Sequence, residues 1–288
     1  MMRPLSYTQT GPGPERSLGT LVLVHGFPDG PQMWQQTVAA MNALGYTTVN
    51  IALPGYGSKP TNDDLAQSFD ELSDRLLMTI EHAGALGQTL IAHDWGAVLA
   101  YLMLQKRPDA LARLVALDVG VAPRSIGRAL LVITYQAWLV AAHWVGGPLG
   151  DWFTERLCSW ILRRPRYEGA AAALARHAWL YRQAWREAHI GGKRAYYYRN
   201  RIAPWTPHSE LAVLFAYGRD LWQGVQFHDQ RWRGMLLNAN SLNRVRPMAG
   251  GHWFFMENSD AFHAELQDFL EATCSSSERR LAQPIGDD

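Results

Sequence analysis

Short runs of β-branched and apolar residues alternate, over the first 120 residues, with stretches in which apolar residues recur at helical spacing. Such alternation is typical of βαβ units and a parallel sheet. The predicted strands are residues 20–24, 46–53, 89–92 and 114–119. The predicted helices between them are residues 31–44, 65–85 and 97–106.

The alternation stops near residue 121 and resumes near residue 207. The stretch between these points holds no clear strand, is crowded with aromatic residues and has helix-like segments between Gly-Gly and Pro breaks. Two further strands are predicted after it, at residues 211–217 and 243–248. An amphipathic helix then covers residues 259–272, with Ser259 as its N-cap.

This pattern predicts an α/β core interrupted by a helical insert. The core is expected to comprise residues 1–120 and 207–288, and the insert, a helical cap, residues 121–206. Residues 275–288 are polar and aperiodic, which is typical of a flexible tail.

Residues 129–145 form the longest apolar stretch, slightly short of the roughly 18 residues of a spanning helix. We predict a buried helix there rather than a membrane span. The first residues contain no apolar run of secretory length, so a cytoplasmic location is expected.

Charge and cysteine content narrow the partners further. The 288 residues carry 27 Lys and Arg against 26 Asp and Glu, a net charge of +1, which excludes the strong field of a nucleic-acid binder. The two cysteines, Cys158 and Cys274, match neither a disulfide framework nor metal-ligand spacing. We therefore expect an uncharged partner and a reducing environment, and the sequence leaves a homodimer open.

The strongest chemical signal is Ala-His-Asp-Trp-Gly at residues 92–96, between a predicted strand and a predicted helix. Small residues two positions before and after Asp94 fit a nucleophile elbow, a sharp turn that pushes the central side chain out above the sheet. The alternative is that Asp94 merely caps the following helix.

A second signal, His-Gly-Phe-Pro at residues 25–28, directly follows the first predicted strand. The glycine lets the chain turn, so that the backbone N–H groups of Phe27 and Trp95 would converge as an oxyanion hole. The alternative is a tight loop without a catalytic role. His25 and His93 are interpreted as hydrogen-bonded structural residues.

The third signal is His252, which lies between Gly-Gly and Trp on a loop between the last predicted strand and the last helix. It falls in the chain order of nucleophile, acid and base. We predict that His252 is the general base, the alternative being a structural histidine.

Together, H-G-F-P, H-D-W-G and G-G-H-W in this order resemble the epoxide hydrolase and haloalkane dehalogenase branch of the α/β-hydrolase superfamily. The resemblance covers nearly the whole chain. Residues 54–58, Pro-Gly-Tyr-Gly-Ser, are similar to a turn of that branch, and Trp34 matches its tryptophan after H-G-F-P. The resemblance implies an α/β-hydrolase fold with a mostly parallel sheet and a helical cap, a covalent ester on Asp94, and no cofactor or metal.

Two short matches in the cap resemble the epoxide hydrolases specifically. Tyr135 precedes Gln136, and Tyr198 precedes Arg-Asn; in that family such tyrosines direct their hydroxyls at the epoxide oxygen. The alternative is that both are core aromatics. The neighbouring Tyr196 and Tyr197 leave the register of the second match open.

The acid that orients His252 has three candidates. Asp118 follows the strand after the nucleophile, where haloalkane dehalogenase-like triads carry their acid. Asp220 follows the next strand, but Gly-Arg-Asp is one residue short of the G-x-x-D turn of other epoxide hydrolases. That shortfall favours Asp118 over Asp220, and Asp229 is a weaker third candidate.

These residues suit the hydrolysis of a small, largely apolar epoxide by water to a vicinal diol. Phenols are weak acids fit to meet the alkoxide of an opening epoxide. The halide cradle of the dehalogenase pattern needs an Asn where this chain has Phe27. The alternatives are a haloalkane or haloacid dehalogenase with the same triad, and a non-catalytic binder of apolar ligands.

Overall fold

The computed structural model describes residues 2–13, 15–56, 67–120, 126–167, 174–189, 205–221 and 226–274. The predicted site residue Tyr198, part of the turn at residues 54–58, and the predicted tail at residues 275–288 lie outside the described residues. The boundaries of core and cap stay a prediction.

One seven-stranded sheet, in the order β1-β3-β2-β4-β5-β6-β7, forms the centre of the molecule. Its strands are β1 (Ser6–Thr10), β2 (Thr20–Val24), β3 (Thr47–Ala52), β4 (Thr89–His93), β5 (Arg113–Leu117), β6 (Ala212–Gly218) and β7 (Arg244–Met248). Neighbours from β3 to β7 pair in parallel, and β1 pairs antiparallel with β3. The predicted mostly parallel sheet is confirmed.

The antiparallel edge strand β1 was not predicted. Its residues, Ser-Tyr-Thr-Gln-Thr, are mostly exposed and polar. An edge strand that buries little apolar surface lacks the hydrophobic alternation by which strands are found in sequence. Only its pairing with β3 defines it.

The helices outside the insert fall into two groups, one before the insert in the sequence and one after it. The helices before the insert are α1 (Gln35–Ala43), preceded by a 3-10 turn (Pro31–Trp34), α2 (Phe69–His82) and α3 (Trp95–Lys106). The helices after it are α8 (Gln230–Ala239), α9 (Phe254–Glu257) and α10 (Ser259–Ala272). Ser68 and Glu71 begin α2 with a reciprocal capping box. The predicted cap at Ser259 is wrong by one position, since Asn258 is the N-cap, and its side chain makes no capping hydrogen bond.

Between β5 and β6 the described residues form helices and no strand. These helices are α4 (Ile126–Val145), α5 (Gly147–Ile161), α6 (Leu174–His177) and α7 (Trp179–His189). The prediction of a buried helix at residues 129–145 is wrong for one side of α4, where Trp144 is 72% exposed and Leu130 is 63% exposed. Among the described residues, no helix has the length and apolar character needed to span a bilayer.

The parallel strands fix where chemistry can occur. Their carboxyl ends meet along one edge of the sheet, which is where open α/β sheets bind ligands. The loop after β2 carries Phe27, β4 leads into Asp94, and β5 leads into Asp118. The arrangement of the backbone alone therefore brings these three residues, which are far apart in the sequence, to the same edge of the sheet.

Candidate active site

Asp94 lies at the sharp turn between β4 and α3. Its backbone angles, φ 51° and ψ −118°, fall where non-glycine residues are rare and strained. Two glycines make the turn sterically possible. A Cβ on Gly96 would lie 2.6 Å from the carbonyl oxygen of Val24, and one on Gly26 would lie 2.5 Å from the Cβ of Asp94.

The Asp94 carboxylate is engaged by the predicted oxyanion donors. The backbone N–H of Phe27 donates to Asp94 Oδ2 at 2.8 Å, and the backbone N–H of Trp95, at the start of α3, favours the charged form of this carboxylate. Although Asp94 precedes α3, its side chain makes no capping hydrogen bond, contrary to the N-cap alternative. Burial raises the pKa of Asp94, while His252 and the two N–H groups oppose that rise.

His252 is paired with Asp118. Its Nδ1–H donates to Asp118 Oδ2 at 2.5 Å, and both side chains are almost fully buried. The other oxygen, Oδ1, accepts the backbone N–H of Gly218 at 3.0 Å. Burial lowers the pKa of His252, but the Asp118 carboxylate outweighs it and leaves this pKa above the ordinary 6.5.

The other two candidate acids have different partners. Asp220 Oδ2 accepts the backbone N–H of Gly250 at 2.8 Å, so it braces the loop that carries His252. Asp229 is the N-cap of α8 and accepts the N–H of Trp232 at 2.7 Å. The geometry therefore brings Asp118, and neither of the others, to the imidazole.

His25 and His93 are buried and hold backbone in place. His25 Nε2 accepts the N–H of Leu53 at 3.0 Å, and burial lowers the pKa of His25 to about 4. His93 Nε2 lies 3.0 Å from the carbonyl oxygen of His252, and burial lowers the pKa of His93 well below its usual range. Both rings are neutral at physiological pH.

Tyr181 of α7 is a site residue that the sequence did not single out. Its ring centroid lies 5.0 Å from that of Phe27 and 5.1 Å from that of Trp95, both edge to face. Burial, with a smaller contribution from the negative charge of Asp94, raises the pKa of Tyr181 well above its usual range, so the phenol stays protonated. In the sequence, Tyr181 was one of many cap aromatics, with no motif around it.

Tyr135, which the sequence did single out, faces Tyr181. The two ring centroids lie 6.0 Å apart, edge to face. On its other side Tyr135 contacts Phe227 at 6.0 Å, and Phe227 contacts His252 at 5.7 Å. Ring contacts thus connect Tyr181, through Tyr135 and Phe227, to the imidazole of His252. Among the described residues, no cluster of His, Cys, Asp or Glu could hold a metal ion.

Residues of the insert hold the loop that carries the Phe27 N–H. Arg164 bonds the buried Asp29 in a fork, with Nη2 2.6 Å from Oδ1 and Nε 3.0 Å from Oδ2. Tyr167 donates to the same carboxylate at 2.7 Å, and His177 Nδ1 lies 2.9 Å from the carbonyl oxygen of Pro28. This loop is therefore positioned by helices between β5 and β6 as well as by the sheet.

Replacing Arg164 by Met is expected to lower the free energy of unfolding by about 3 to 5 kcal/mol, because it leaves the Asp29 carboxylate buried without its cation. The Arg164 and Asp29 side chains are only 5% and 1% exposed, so solvent cannot compensate. Urea unfolding measures this loss. Arg219→Met, at a 62% exposed side chain, is the matched control and should change stability little.

Comparison with known proteins identifies relatives of the whole fold. The model of the alpha/beta hydrolase family matches residues 21–265. Among solved structures, an epoxide hydrolase from Vigna radiata superposes with a TM-score of 0.62 at 21% identity, covering 92% of this chain and 94% of that chain. At such identity the likeness shows the fold alone.

Curated relatives match a shorter segment. Epoxide hydrolase B of Mycobacterium tuberculosis is 31% identical over 114 residues, which are 39% of this chain and 32% of that protein. Epoxide hydrolase 3 of Siraitia grosvenorii is also 31% identical over 114 residues, 38% of this chain and 36% of that protein. The match thus spans about a third of the length of these relatives.

Proposed function

The chain belongs to the α/β-hydrolase family, and from this premise we propose that it is an epoxide hydrolase that converts a small, largely apolar epoxide and water to a vicinal diol. The observation that carries the proposal is a pair of facing phenols, Tyr135 and Tyr181, beside a carboxylate at a nucleophile elbow. The named curated relatives support the same activity.

In the first step, Asp94 attacks a ring carbon of the epoxide. Since the N–H of Phe27 holds Oδ2, Oδ1 is the attacking oxygen. A carbon–oxygen bond of the ring breaks as the ester bond forms, and the ring oxygen takes a proton from a tyrosine. Among the described residues, Tyr135 and Tyr181 are the proposed donors, because an alkoxide in an apolar site is a poor leaving group without one. Tyr198, the second donor that the family resemblance implies, lies outside the described residues and stays a prediction.

In the second step, water attacks the carbonyl carbon of the ester on Asp94. His252 takes the proton of this water, and Asp118 holds the imidazole with its Nδ1–H occupied, so that Nε2 is the base. The N–H groups of Phe27 and Trp95 then stabilise the tetrahedral oxyanion. Collapse releases the diol and restores the carboxylate. The proton that His252 took from water replaces the one that the tyrosine gave in the first step, so both side chains return to their starting forms.

The rival dehalogenase would share Asp94, His252 and Asp118, and substrate panels separate the two. We expect purified protein to convert styrene oxide or aliphatic epoxides to diols and to release no halide from haloalkanes or haloacetate. Halide release with every epoxide left intact would overturn the substrate assignment. Absence of turnover and of any covalent adduct across both panels would favour a non-catalytic binder.

Replacing Tyr181 by Phe is expected to slow ester formation roughly 10²-fold, because the ring oxygen loses one of two positioned acids. Hydrolysis of the ester, which does not use this phenol, should keep its rate. Rapid-mixing measurement of single turnovers separates the two steps.

Tyr101→Phe is the matched control, since Tyr101 is also buried but donates to the carbonyl oxygen of Val119 at 2.7 Å. Both steps should keep their rates in this variant. Equal ester formation by Tyr181→Phe and the unmodified protein would exclude Tyr181 as a donor.

Ester hydrolysis is expected to slow as the pH falls, with a midpoint above 6.5, because the neutral imidazole is the base and Asp118 raises the pKa of His252. The protonated imidazole of His252 cannot act as a base, and the Asp118 carboxylate favours this protonated form. The rate therefore falls as the pH falls through the pKa of His252. Single-turnover rates over a pH series measure this midpoint, and Asp118→Asn should move it to lower pH. A midpoint below 6.5 in the unmodified protein would contradict the proposed pairing.

A further inference from the structure

Helix α5 exposes large side chains along one side. Leu149, Trp152, Arg156 and Trp160 follow each other at spacings of three and four residues, which places them on the same helix face. Trp160 is 77% exposed, Leu149 56% and Trp152 51%. Aromatic and aliphatic surface is thus presented to solvent over most of the helix.

Helix α4 continues this surface beside α5. Its exposed large apolar side chains are Leu130, Ile133, Trp138, Trp144 and Val145. The two helices are joined laterally at Trp138, whose indole N–H donates to the carbonyl oxygen of Phe153 at 3.1 Å and whose ring meets Phe153 edge to face. We call this surface the tryptophan face. It consists of the exposed side chains of residues 130, 133, 138, 144, 145, 149, 152, 156, 160 and 161.

The tryptophan face differs from the rest of the described surface. The other exposed large apolar residues, Met2, Leu18, Leu44, Leu86, Leu237 and Leu242, are spread over distant segments of the chain. Single exposed apolar residues are ordinary, whereas a contiguous patch marks an interaction surface.

The charges of this face select its partner. Arg156 lies over two of its tryptophans, 5.2 Å from the ring of Trp152 and 5.4 Å from that of Trp160. The carboxylates of α5 have other partners: Asp151 accepts the N–H of Ala175, and Glu155 pairs with Arg164. Glu155 is 38% exposed and shares Arg164 with Asp29, so it is held at the edge of the face. Among the described residues of the two helices, Arg156 is therefore the ionic group that lies among the exposed tryptophans.

We propose that the tryptophan face docks on a lipid surface. Indole rings favour the boundary between acyl chains and headgroups, where the ring is in apolar surroundings and the N–H stays wet. A guanidinium among them can reach a lipid phosphate while its stem lies on apolar surface. A second copy fits less well where a two-fold axis passes near Arg156, because the contact would then bring the like charges of both Arg156 side chains together.

The proposal does not depend on the proposed activity. A lipid-bound cap would place the site beside the phase in which an apolar epoxide concentrates, but docking needs only the outer face of α4 and α5. Asp94→Asn should therefore bind vesicles as the unmodified protein does, which separates failure of the docking proposal from failure of the catalytic one.

The test is flotation with vesicles made of equal parts phosphatidylcholine and phosphatidylglycerol. The unmodified protein is expected to float with the vesicles, and its tryptophan emission should shift to shorter wavelength. The double variant Trp144→Ser, Trp160→Ser should lose about tenfold or more in partitioning, because two interfacial anchors are removed. The variant Arg156→Gln should partition to the vesicles about fivefold more weakly than the unmodified protein. This difference should become smaller at high salt, because salt screens the attraction between the guanidinium and the lipid phosphates.

The double variant Leu237→Ser, Leu242→Ser is the matched control, since these side chains are 51% and 45% exposed away from the tryptophan face. It should float normally. Failure of the unmodified protein to float, or equal flotation of the tryptophan variant, would overturn the proposal. A dimer seen by light scattering that the tryptophan variant separates would overturn it in favour of a second copy.

Discussion

Replacing His252 by Gln is expected to trap the substrate on Asp94. Ester formation does not need the imidazole, whereas the attack of water on the ester does, so the second step should fall by about 10⁴-fold. Intact-protein mass spectrometry after mixing with an epoxide should show a gain equal to the mass of the epoxide. A peptide map should place that gain on the segment containing Asp94.

Several comparisons make this result specific. Adding Asp94→Asn should abolish the adduct. His263 of α10 lies 3.2 Å, through Nε2, from the hydroxyl of Thr37 and has no contact with the site residues described above. The variant His263→Gln should therefore show no adduct and turn over normally. In the unmodified protein, one turnover in heavy-oxygen water should leave the label in the Asp94 carboxylate, because water attacks the carbon of that carbonyl. A diol carrying the label, with an unlabelled Asp94, would contradict a covalent ester.

Replacing Asp118 by Asn is expected to slow ester hydrolysis by up to about 10⁴-fold, because an amide at the acid position of a triad holds the imidazole in the wrong tautomer. The Nδ1–H of His252 now donates to Asp118 Oδ2. An Asn can offer its own N–H there, which moves the imidazole proton to Nε2 and removes the base. Ester formation should be much less affected, so the ester should accumulate during turnover.

Asp220→Asn is the matched control for the acid. Asp220 accepts the N–H of Gly250, and the amide oxygen of Asn can accept the same bond, so hydrolysis should stay within about threefold of the unmodified rate. A large loss with Asp220→Asn and a small one with Asp118→Asn would reassign the acid to Asp220.

Local patterns in the sequence were sufficient for most of the sheet. The strands from β2 to β7 are each within two residues of their predicted limits, because buried parallel strands are apolar runs bounded by turns. Strand β1 was missed since its polar residues carry no such pattern. A helix that ends at Val145 was foreseen, although α4 begins three residues earlier than predicted, at Ile126. Its exposed side was not foreseen, because an apolar segment has the same composition whether protein, solvent or a partner covers it.

The candidate site, like the fold, was predictable from the sequence in part, and the rest depended on the tertiary structure. By itself, the sequence determined the candidate nucleophile Asp94, the base His252 and the loop of Phe27, because an elbow and a glycine-flanked histidine impose small residues at fixed spacings. The tertiary structure decided which carboxylate meets His252, and it placed Tyr181 against Trp95 and Phe27. No local spacing encodes a contact between a helix of the insert and the end of a strand, since that contact depends on how the whole chain packs.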